Sequence, residues 1–273
     1  MYIDAHFHCN VYTRYENALE RALELLERHG ILVVSSSTEP ESYNQTLEIA
    51  ERSRHVLPCF GVHPQVAHEY LGRLDSLDEL FNEAVAYGEI GLDHLHLKDE
   101  SQYPAQYTVL KHFLGKARDQ DKLVILHLDG AEEEGLELIR QFSLRKVIVH
   151  GYKGSLQTMK ELLDAGCYFS VGGNMIMEKF KAQVPSDEWE RSHAAFKKLP
   201  SDRLLVETDG PCRTEPDPAP GAPRSMPTYL FDVIAEIAEI RNAAPEELVR
   251  SMKQNFKQLI KDDERLISYI NLI

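Results

Sequence analysis

The sequence predicts a (β/α)8 barrel that forms one domain over residues 1–273, and three observations support this. Eight short β-rich runs recur along the chain at intervals long enough to hold a helix. Several runs are almost continuously apolar, which is typical of parallel strands buried on both faces. The sequence shows no linker between two halves, and its 273 residues suit one barrel. An open doubly wound sheet is the alternative, but the chain lacks the Gly-rich phosphate loop of nucleotide-binding sheets.

The predicted strands follow one another at regular intervals. In chain order they are Tyr2–His8, Ile31–Ser37, Val56–His63, Tyr87–Asp93, Leu123–Leu128, Lys146–Gly151, Tyr168–Gly173 and Leu204–Gly210. The segments between them have the 3.6-residue periodicity of amphipathic helices. The first of these segments ends at Gly30, a suitable C-cap. The predicted helices are Tyr15–His29, Gln102–Gln120, Ala131–Phe142, Ser155–Ala165, Met226–Arg241 and Pro245–Lys261.

Composition and charge narrow the functional classes. Lys and Arg number 30 against 44 Asp and Glu, a net charge of −14, so the overall field does not steer the chain towards nucleic acid or anionic membrane. A polyanionic substrate would therefore need a locally positive site. We find no apolar run long enough for a membrane span and no signal-peptide pattern. The four cysteines form no CxxC pair, so we expect reduced thiols and a cytoplasmic protein.

Polar residues stand near the carboxyl ends of five predicted strands. They are His6, His8, Glu89, His127, His150 and Asp209. The two histidines of the first strand share a face, because strand side chains alternate. In a barrel, these residues would all reach the end where catalytic groups lie. Leaving such groups buried and unpaired would be costly, so the sequence predicts that they hold one divalent cation, or two that share Glu89.

Six sequence blocks resemble the TatD-related metal-dependent hydrolases of the amidohydrolase-like barrel class. The blocks are Ile3–His8, Phe60–Pro64, Gly88–Asp93, Val124–His127, His150–Ser155 and Leu205–Pro211. Their order and spacing cover nearly the whole chain. The resemblance implies a two-metal site and hydrolysis of DNA phosphodiesters, often as a 3′-to-5′ exonuclease.

The resemblance also implies a division of the ligands. One metal would be held by His6, His8, Glu89 and Asp209, and Glu89 would bridge to a second metal held by His127 and His150. His63 would stand near the substrate. Mg²⁺ or Mn²⁺ is expected, with Zn²⁺ as an alternative. Asp209 is the expected proton acceptor for the attacking water, and Glu89 the second catalytic carboxylate.

The sequence departs from the family pattern around these ligands. The differing positions are Asn10, Gln65, His94-Leu95-His96, Asp129 and the segment Gly151–Lys153. Asp129 replaces an Arg suited to phosphate, so other cations are needed there. Lys153 is the first candidate, followed by Arg213 and Arg224 in the proline-rich stretch Pro211–Pro227. Tyr152 and Trp189 are candidates for stacking on a base, although core packing is the favoured role for Trp189.

Three functions remain open at this point. Metal-assisted hydrolysis of DNA, with single-stranded DNA or 3′ ends as substrate, is the preferred one. Hydrolysis of an amide, lactone or cyclic ureide is the second, although the bridging position carries Glu89 and strands four to six offer no Lys as a bridge. The third is a non-catalytic member that binds nucleic acid or a protein partner, and the complete ligand set argues against it.

Overall fold

The computed structural model describes residues 1–211 and 222–273, and its backbone alternates strands and helices. The strands in this part of the chain are β1 (Tyr2–Phe7), β2 (Ile31–Ser36), β3 (Val56–Cys59), β4 (Ala86–Asp93), β5 (Leu123–Asp129), β6 (Val147–His150), β7 (Tyr168–Val171) and β8 (Leu204–Val206). Each of these strands lies within two residues of a predicted strand at its amino end. The number and order of the strands therefore agree with the sequence prediction.

Helices follow most of the strands. They are α1 (Ala18–His29), α2 (Pro40–Arg52), α3 (Asp78–Glu83), α4 (Tyr103–Gln120), α5 (Glu132–Phe142), α6 (Leu156–Asp164), α7 (Gly173–Ile176), α8 (Ser186–Lys198), α9 (Tyr229–Arg241), α10 (Pro245–Ile260) and α11 (Ile267–Leu272). Short 3-10 helices lie at Cys9–Arg14, Pro64–Tyr70, Leu74–Leu77, Glu100–Gln102, Glu178–Gln183 and Glu264–Leu266. Helix α1 ends as predicted at Gly30, whose left-handed φ of 62° any larger residue would adopt at a cost. None of the helices in the described ranges has the length and apolar composition needed to cross a bilayer.

All strand pairs are parallel, in two groups with the orders β1-β2-β3 and β4-β5-β6-β7-β8. Backbone hydrogen bonds join the groups at both seams. Between β3 and β4, Gly88 N–H donates to Phe60 O at 2.9 Å, and between β1 and the segment after β8, His8 N–H donates to Gly210 O at 2.8 Å. The architecture is that of an amidohydrolase-like (β/α)8 barrel, so the predicted fold class is confirmed.

The core has two parts because strand side chains alternate between the two faces. Inward-facing residues such as Leu32, Val34 and Ile125 fill the barrel interior, and Phe256 and Ile260 of α10 close this interior cluster. The outward-facing side chains pack against the surrounding helices in a larger cluster. The barrel interior is thus apolar near the amino ends of the strands, and the polar site residues are confined to the opposite end.

Two strands end four residues earlier than the sequence suggests. The third was predicted to continue to His63, but β3 ends at Cys59. Here the chain passes over β4, and a Cβ at Gly61 would lie 2.5 Å from the backbone of Glu89. The eighth was predicted to reach Gly210, but β8 ends at Val206. The following residues turn to bring Asp209 over the barrel mouth.

Candidate metal centre

The structure brings together the six side chains that the sequence analysis selects at the carboxyl ends of the strands. Together with His63, they form three overlapping groups in which the candidate ligand atoms all lie within 4.8 Å of one another. The groups are His6 with His8 and Asp209, His6 with Glu89 and His150, and His63 with Glu89 and His127. These residues come from both groups of strands, so the complete barrel is needed to assemble the site.

The backbone after β8 is shaped to present Asp209. This residue has a left-handed φ of 51°, which is uncommon for a residue with a side chain. Its N–H donates to His6 O at 3.1 Å, which ties the segment to β1. The preceding Thr208 is held in the same way, because its backbone N–H and its hydroxyl both donate to the buried carboxyl of Asp4, at 3.0 and 2.6 Å. β1 therefore positions His6, the adjoining His8 and Asp209.

The first donor group consists of His6, His8, Asp209 and one oxygen of Glu89. The Nε2 atoms of His6 and His8 lie 3.1 Å apart. Asp209 Oδ1 is 3.6 Å from His6 Nε2 and 3.4 Å from His8 Nε2. Glu89 Oε2 is 3.6 Å and 3.5 Å from the same two nitrogens. Both ring nitrogens thus lie within 3.6 Å of each of these two carboxylate oxygens.

The second donor group uses the other oxygen of Glu89. Oε1 lies 2.7 Å from both His127 Nδ1 and His150 Nε2, and these two nitrogens are 3.1 Å apart. His63 Nε2 lies 3.6 Å from the same oxygen. A single carboxylate therefore faces one set of histidines with each of its oxygens.

The spacing of these atoms fits metal ligands. Two nitrogen ligands at about 2.0–2.1 Å from one ion, with bond angles of about 90–110°, lie about 2.9–3.4 Å apart. The 3.1 Å separations within the pairs His6–His8 and His127–His150 fall in this range. Imidazole and carboxylate together suit divalent cations such as Zn²⁺ and Mn²⁺. The donor set can therefore hold metal ions.

Contacts on the far side of each ring orient the histidines. His8 Nδ1 lies 3.0 Å from Ser36 O, a carbonyl that can only accept, so the Nδ1 of His8 carries a proton and, in the neutral ring, Nε2 keeps the lone pair that a metal needs. His150 Nδ1 faces Glu207 Oε1 at 3.7 Å. His127 Nε2 faces one oxygen of Asp93 and one of Asp129, each at 3.7 Å. Carboxylates and carbonyls behind ligating histidines are typical of metal sites, where they fix the ring orientation.

The charges within the site are strongly coupled. Burial opposes the charged imidazolium of His127, but Asp129, Asp93 and Glu89 outweigh burial and raise its pKa to about 9. Glu89 and Glu207 likewise raise the pKa of His150 well above its usual range. The surrounding histidines, His150 first, outweigh the burial of Glu89 and hold its pKa far below normal. Protons thus supply the positive charge that a cation would supply, and cation binding would release them.

A cavity of about 390 Å³ opens above these ligands and contains several predicted substrate contacts. His63 and Lys153 line it. Lys153 Nζ is ion-paired with Asp129 and lies 3.7 Å from Glu188 Oε1, so two carboxylates share its charge. Arg224 lines a neighbouring cavity instead. Arg213 lies outside the described residues.

Three residues around the site were not predicted from the sequence to be functional. Asp93 and Glu207 stand behind His127 and His150, and both belong to the blocks that carry the family resemblance. An acid at the end of an apolar run was the available signal. Arg14, from the 3-10 helix after β1, lines the cavity and forms no ion pair within the described part of the chain. No local pattern marked it, because its position depends on the fold.

The departures from the family pattern contact one another. Asp129 Oδ2 lies 3.0 Å from His96 Nε2 and also binds Lys153, whose Nζ is 3.2 Å from the same ring nitrogen. Gln65 Nε2 donates to Asp93 Oδ2 at 2.9 Å. These positions therefore form a connected polar wall beside His127.

Comparisons with known proteins agree with this geometry. The family model described as TatD related DNase matches residues 3–261. An uncharacterized metal-dependent hydrolase of Bacillus subtilis, YabD, is 28% identical over 269 residues, which cover 96% of this chain and 99% of that protein. A Salmonella typhimurium protein named 3′-5′ ssDNA/RNA exonuclease TatD is 28% identical over 233 residues, covering 83% of this chain and 86% of its own. The resemblance found in the sequence is confirmed.

Solved structures support the same conclusion. The TatD homologue YjjV of Escherichia coli superposes with a TM-score of 0.78 at 26% identity, covering 94% of this chain and 97% of that one. A TatD-family hydrolase of Entamoeba histolytica has the same TM-score and coverages at 19% identity, which supports the fold alone.

Proposed function

We infer that this chain, which belongs to the TatD-related DNase family of metal-dependent hydrolases, cleaves phosphodiester bonds of DNA as a 3′-to-5′ exonuclease. The observation that carries the inference is Glu89, whose two oxygens each face a separate histidine pair. This arrangement suits two adjacent cations, as in many enzymes that cleave phosphodiesters. The name of the Salmonella relative supports DNA with single-stranded 3′ ends as the substrate.

The donor groups divide the ligands between two divalent cations, Mg²⁺ or Mn²⁺ with Zn²⁺ as an alternative. One would be held by His6, His8, Asp209 and Glu89 Oε2, and the other by Glu89 Oε1, His127 and His150. When bound, such cations supply activation of a water molecule and stabilisation of the attacking and leaving oxygens. They also supply the local positive charge that an acidic chain of −14 needs in order to bind DNA.

Asp209 is the proposed proton acceptor. Its side chain is 18% exposed, whereas the other five donor side chains are 0–9% exposed, so it reaches furthest into the cavity. In the hydrolysis, the oxygen of water bonds to phosphorus and the bond from phosphorus to the 3′ oxygen breaks. The proton of the water passes to Asp209, and the departing oxygen takes a proton from solvent.

His63 is positioned to donate to the substrate. Its Nδ1 accepts a hydrogen bond from Gln65 N–H at 3.2 Å, so in the neutral ring Nε2 carries the proton. That nitrogen points towards Glu89 Oε1 within the cavity. A proton-bearing Nε2 cannot bind a metal, and this supports a contact to a phosphate oxygen instead.

Arg14 is the proposed main contact for the phosphate backbone. It is exposed, lines the cavity and forms no ion pair with a described residue. Lys153 remains a predicted phosphate contact, although Asp129 and Glu188 already balance its charge. The roles of Arg224 and Arg213 also remain predictions.

The second candidate function is hydrolysis of an amide or lactone, and the ion pairs of Lys153 favour it. Its pairing with Asp129 and Glu188 makes the wall beside His127 less attractive to a polyanion, which favours a neutral amide or lactone. Glu89 at the bridging position favours the phosphodiester, as does the name of the Salmonella relative. A non-catalytic binding role is the weakest proposal, because the donor atoms stand at ligand spacing.

The whole chain is proposed to be one catalytic domain, since donors come from β1 through the segment after β8. A cytoplasmic location stays a prediction. Cys9, Cys59 and Cys167 are buried free thiols, as expected of a reducing compartment.

A direct assay tests the proposed function. Purified protein with Mn²⁺ or Mg²⁺ should shorten a single-stranded DNA labelled at its 5′ end one nucleotide at a time, and a chelator should abolish this. Glu89→Gln should lower the rate at least about 100-fold with an unchanged circular dichroism spectrum. Glu48→Gln, on the exposed face of α2, is the matched control and should keep full activity. Normal cleavage by Glu89→Gln, or hydrolysis of amide and lactone substrates alone, would contradict the proposal.

A further inference from the structure

A second cavity adjoins the metal centre. This annex has a volume of about 260 Å³ and shares His96, Lys153 and Asn174 with the cavity above the ligands. Its other walls come from the 3-10 helix Glu178–Gln183, from α8, and from Arg224. The three shared wall residues therefore place the annex beside the site of the proposed reaction.

The annex is lined mainly by apolar side chains and by two side chains that carry amide groups. Met175, Phe180, Val184, Pro185 and Trp189 supply apolar surface. Asn174 and Gln183 also line it, and neither side chain forms a hydrogen bond to a described residue. Each amide offers both a donor and an acceptor, which is the pattern that the edge of a heterocyclic base requires. Asn174 stands where the two cavities meet.

The charge at the junction disfavours a second phosphate. Lys153 is 8% exposed and is neutralised by Asp129 and by Glu188, both of which are buried. An anion at this junction would lie beside two carboxylates whose combined charge exceeds that of Lys153, while Arg224 lines another part of the annex. A neutral, planar group fits the annex better, because apolar surface and free amides can contact it without competing for Lys153.

On these grounds, and resting on the proposed nuclease function, we propose that the annex binds the nucleobase of the nucleotide attached to the scissile phosphate. The substrate is then recognised by its terminal base as well as by its phosphate. Aromatic walls contact bases of any sequence, so we expect little preference among the four bases.

The first test compares oligonucleotides that differ only in the presence of a terminal base. A single-stranded DNA with an intact 3′ nucleotide is compared with versions that carry an abasic residue at the 3′ or the 5′ end. We expect kcat/KM to fall about tenfold when the base is missing from the attacked end, which corresponds to about 1.4 kcal/mol. Equal rates on all three substrates would overturn the annex proposal and leave the nuclease function standing. If none of the three is cleaved, the proposed function itself fails, and the annex proposal with it.

Two variants locate the effect in the annex. Val184→Phe adds bulk at the half-buried rim and should lower kcat/KM about tenfold on the intact substrate while leaving the abasic one unchanged. Asn174→Ala removes the free amide and should reduce the difference between the substrates. Asn271→Ala, an exposed position on α11, is the matched control and should retain the full difference. An equal loss on both substrates would indicate a structural defect and would contradict the proposal.

A binding experiment gives a readout that does not depend on activity. Trp189 is the only tryptophan of the chain, so its fluorescence reports the annex directly. Thymidine 5′-monophosphate should change this fluorescence saturably in metal-free protein, and deoxyribose 5-phosphate should not. Asn174→Ala should raise the apparent Kd about fivefold or more, by the arithmetic of one lost hydrogen bond of about 1 kcal/mol. The same response to both ligands, or no response to either, would refute a base subsite.

Discussion

The two ends of the barrel bury charged groups in opposite ways. At the floor, by the amino ends of β5 and β6, buried and half-buried cations meet oxygen acceptors from the chain itself. Lys122 Nζ donates to Phe81 O at 2.6 Å, and Arg265 donates to Gln120 O at 2.8 Å and to the carboxylate of Asp263 at 2.6–2.7 Å. At the mouth, ring nitrogens face other ring nitrogens at 3.1 Å around the carboxylate of Glu89.

This difference separates a structural network from a binding site. Buried polar groups are normally paired within the chain, because an unpaired group loses its hydrogen bonds to water and gains none in the protein. The floor follows this rule, and it joins the C-terminal segment around Asp263 to the barrel. At the mouth, the ring nitrogens of several histidines lie at the spacing expected of ligands to one metal ion. We infer that a bound cation, which the chain itself does not supply, completes the pairing of these groups. The predictions below test this contrast.

The largest expected effect is on catalysis at the mouth. Asp209→Asn keeps the shape of the side chain but removes the proposed proton acceptor and a charged ligand. We expect kcat/KM on single-stranded DNA to fall about 10²–10⁴-fold, with little change in thermal stability. Steady-state kinetics and a thermal melt measure the two quantities. A variant that melts far below the parent protein and loses activity in proportion would place Asp209 in the structure and not in the chemistry.

Metal binding should raise the free energy of unfolding, and only the donor residues at the mouth of the barrel should be needed for this. A cation that binds only the folded state adds about 2.7 kcal/mol to the free energy of unfolding when present at 100 times its Kd. Mn²⁺ should therefore raise the Tm of the chelator-treated protein. His150→Ala should reduce this increase, whereas the floor variant Arg265→Ala should retain it. An equal shift in all three proteins would show that the cation acts elsewhere.

The smallest effect is expected at the floor. Asp263→Ala removes the carboxylate that the buried Lys146 and the half-buried Arg265 share, and losing hydrogen bonds to a charged group of this kind costs about 1–3 kcal/mol. Urea unfolding measures the loss. The exposed Asp262→Ala is the neighbouring control and should change stability little. Nuclease activity of the folded Asp263→Ala protein should be normal, and a selective loss of activity would mean that floor and mouth are coupled.

The fold and the six donor residues could be predicted because their signals are local. Apolar runs such as Leu123–Leu128 identify buried strands, and a histidine or acid at the end of such a run has few structural explanations. The surrounding contacts could not be predicted in the same way. The balanced charge of Lys153 depends on Asp129 and Glu188, which lie 24 and 35 residues away along the chain. Such pairings depend on how β5, α8 and the segment after β6 pack together.

The sequence alone therefore determined the order of strands and helices, the barrel class, and the residue types that converge at the mouth, because strand alternation and parallel connections leave few other arrangements. Only the tertiary structure decided which donor faces which oxygen of Glu89, that Arg14, unlike Lys153, has no ion-pair partner among the described residues, and that an annex lies beside the candidate metal centre. These features depend on side-chain distances across loops from different strands, and no periodicity in the sequence records such distances.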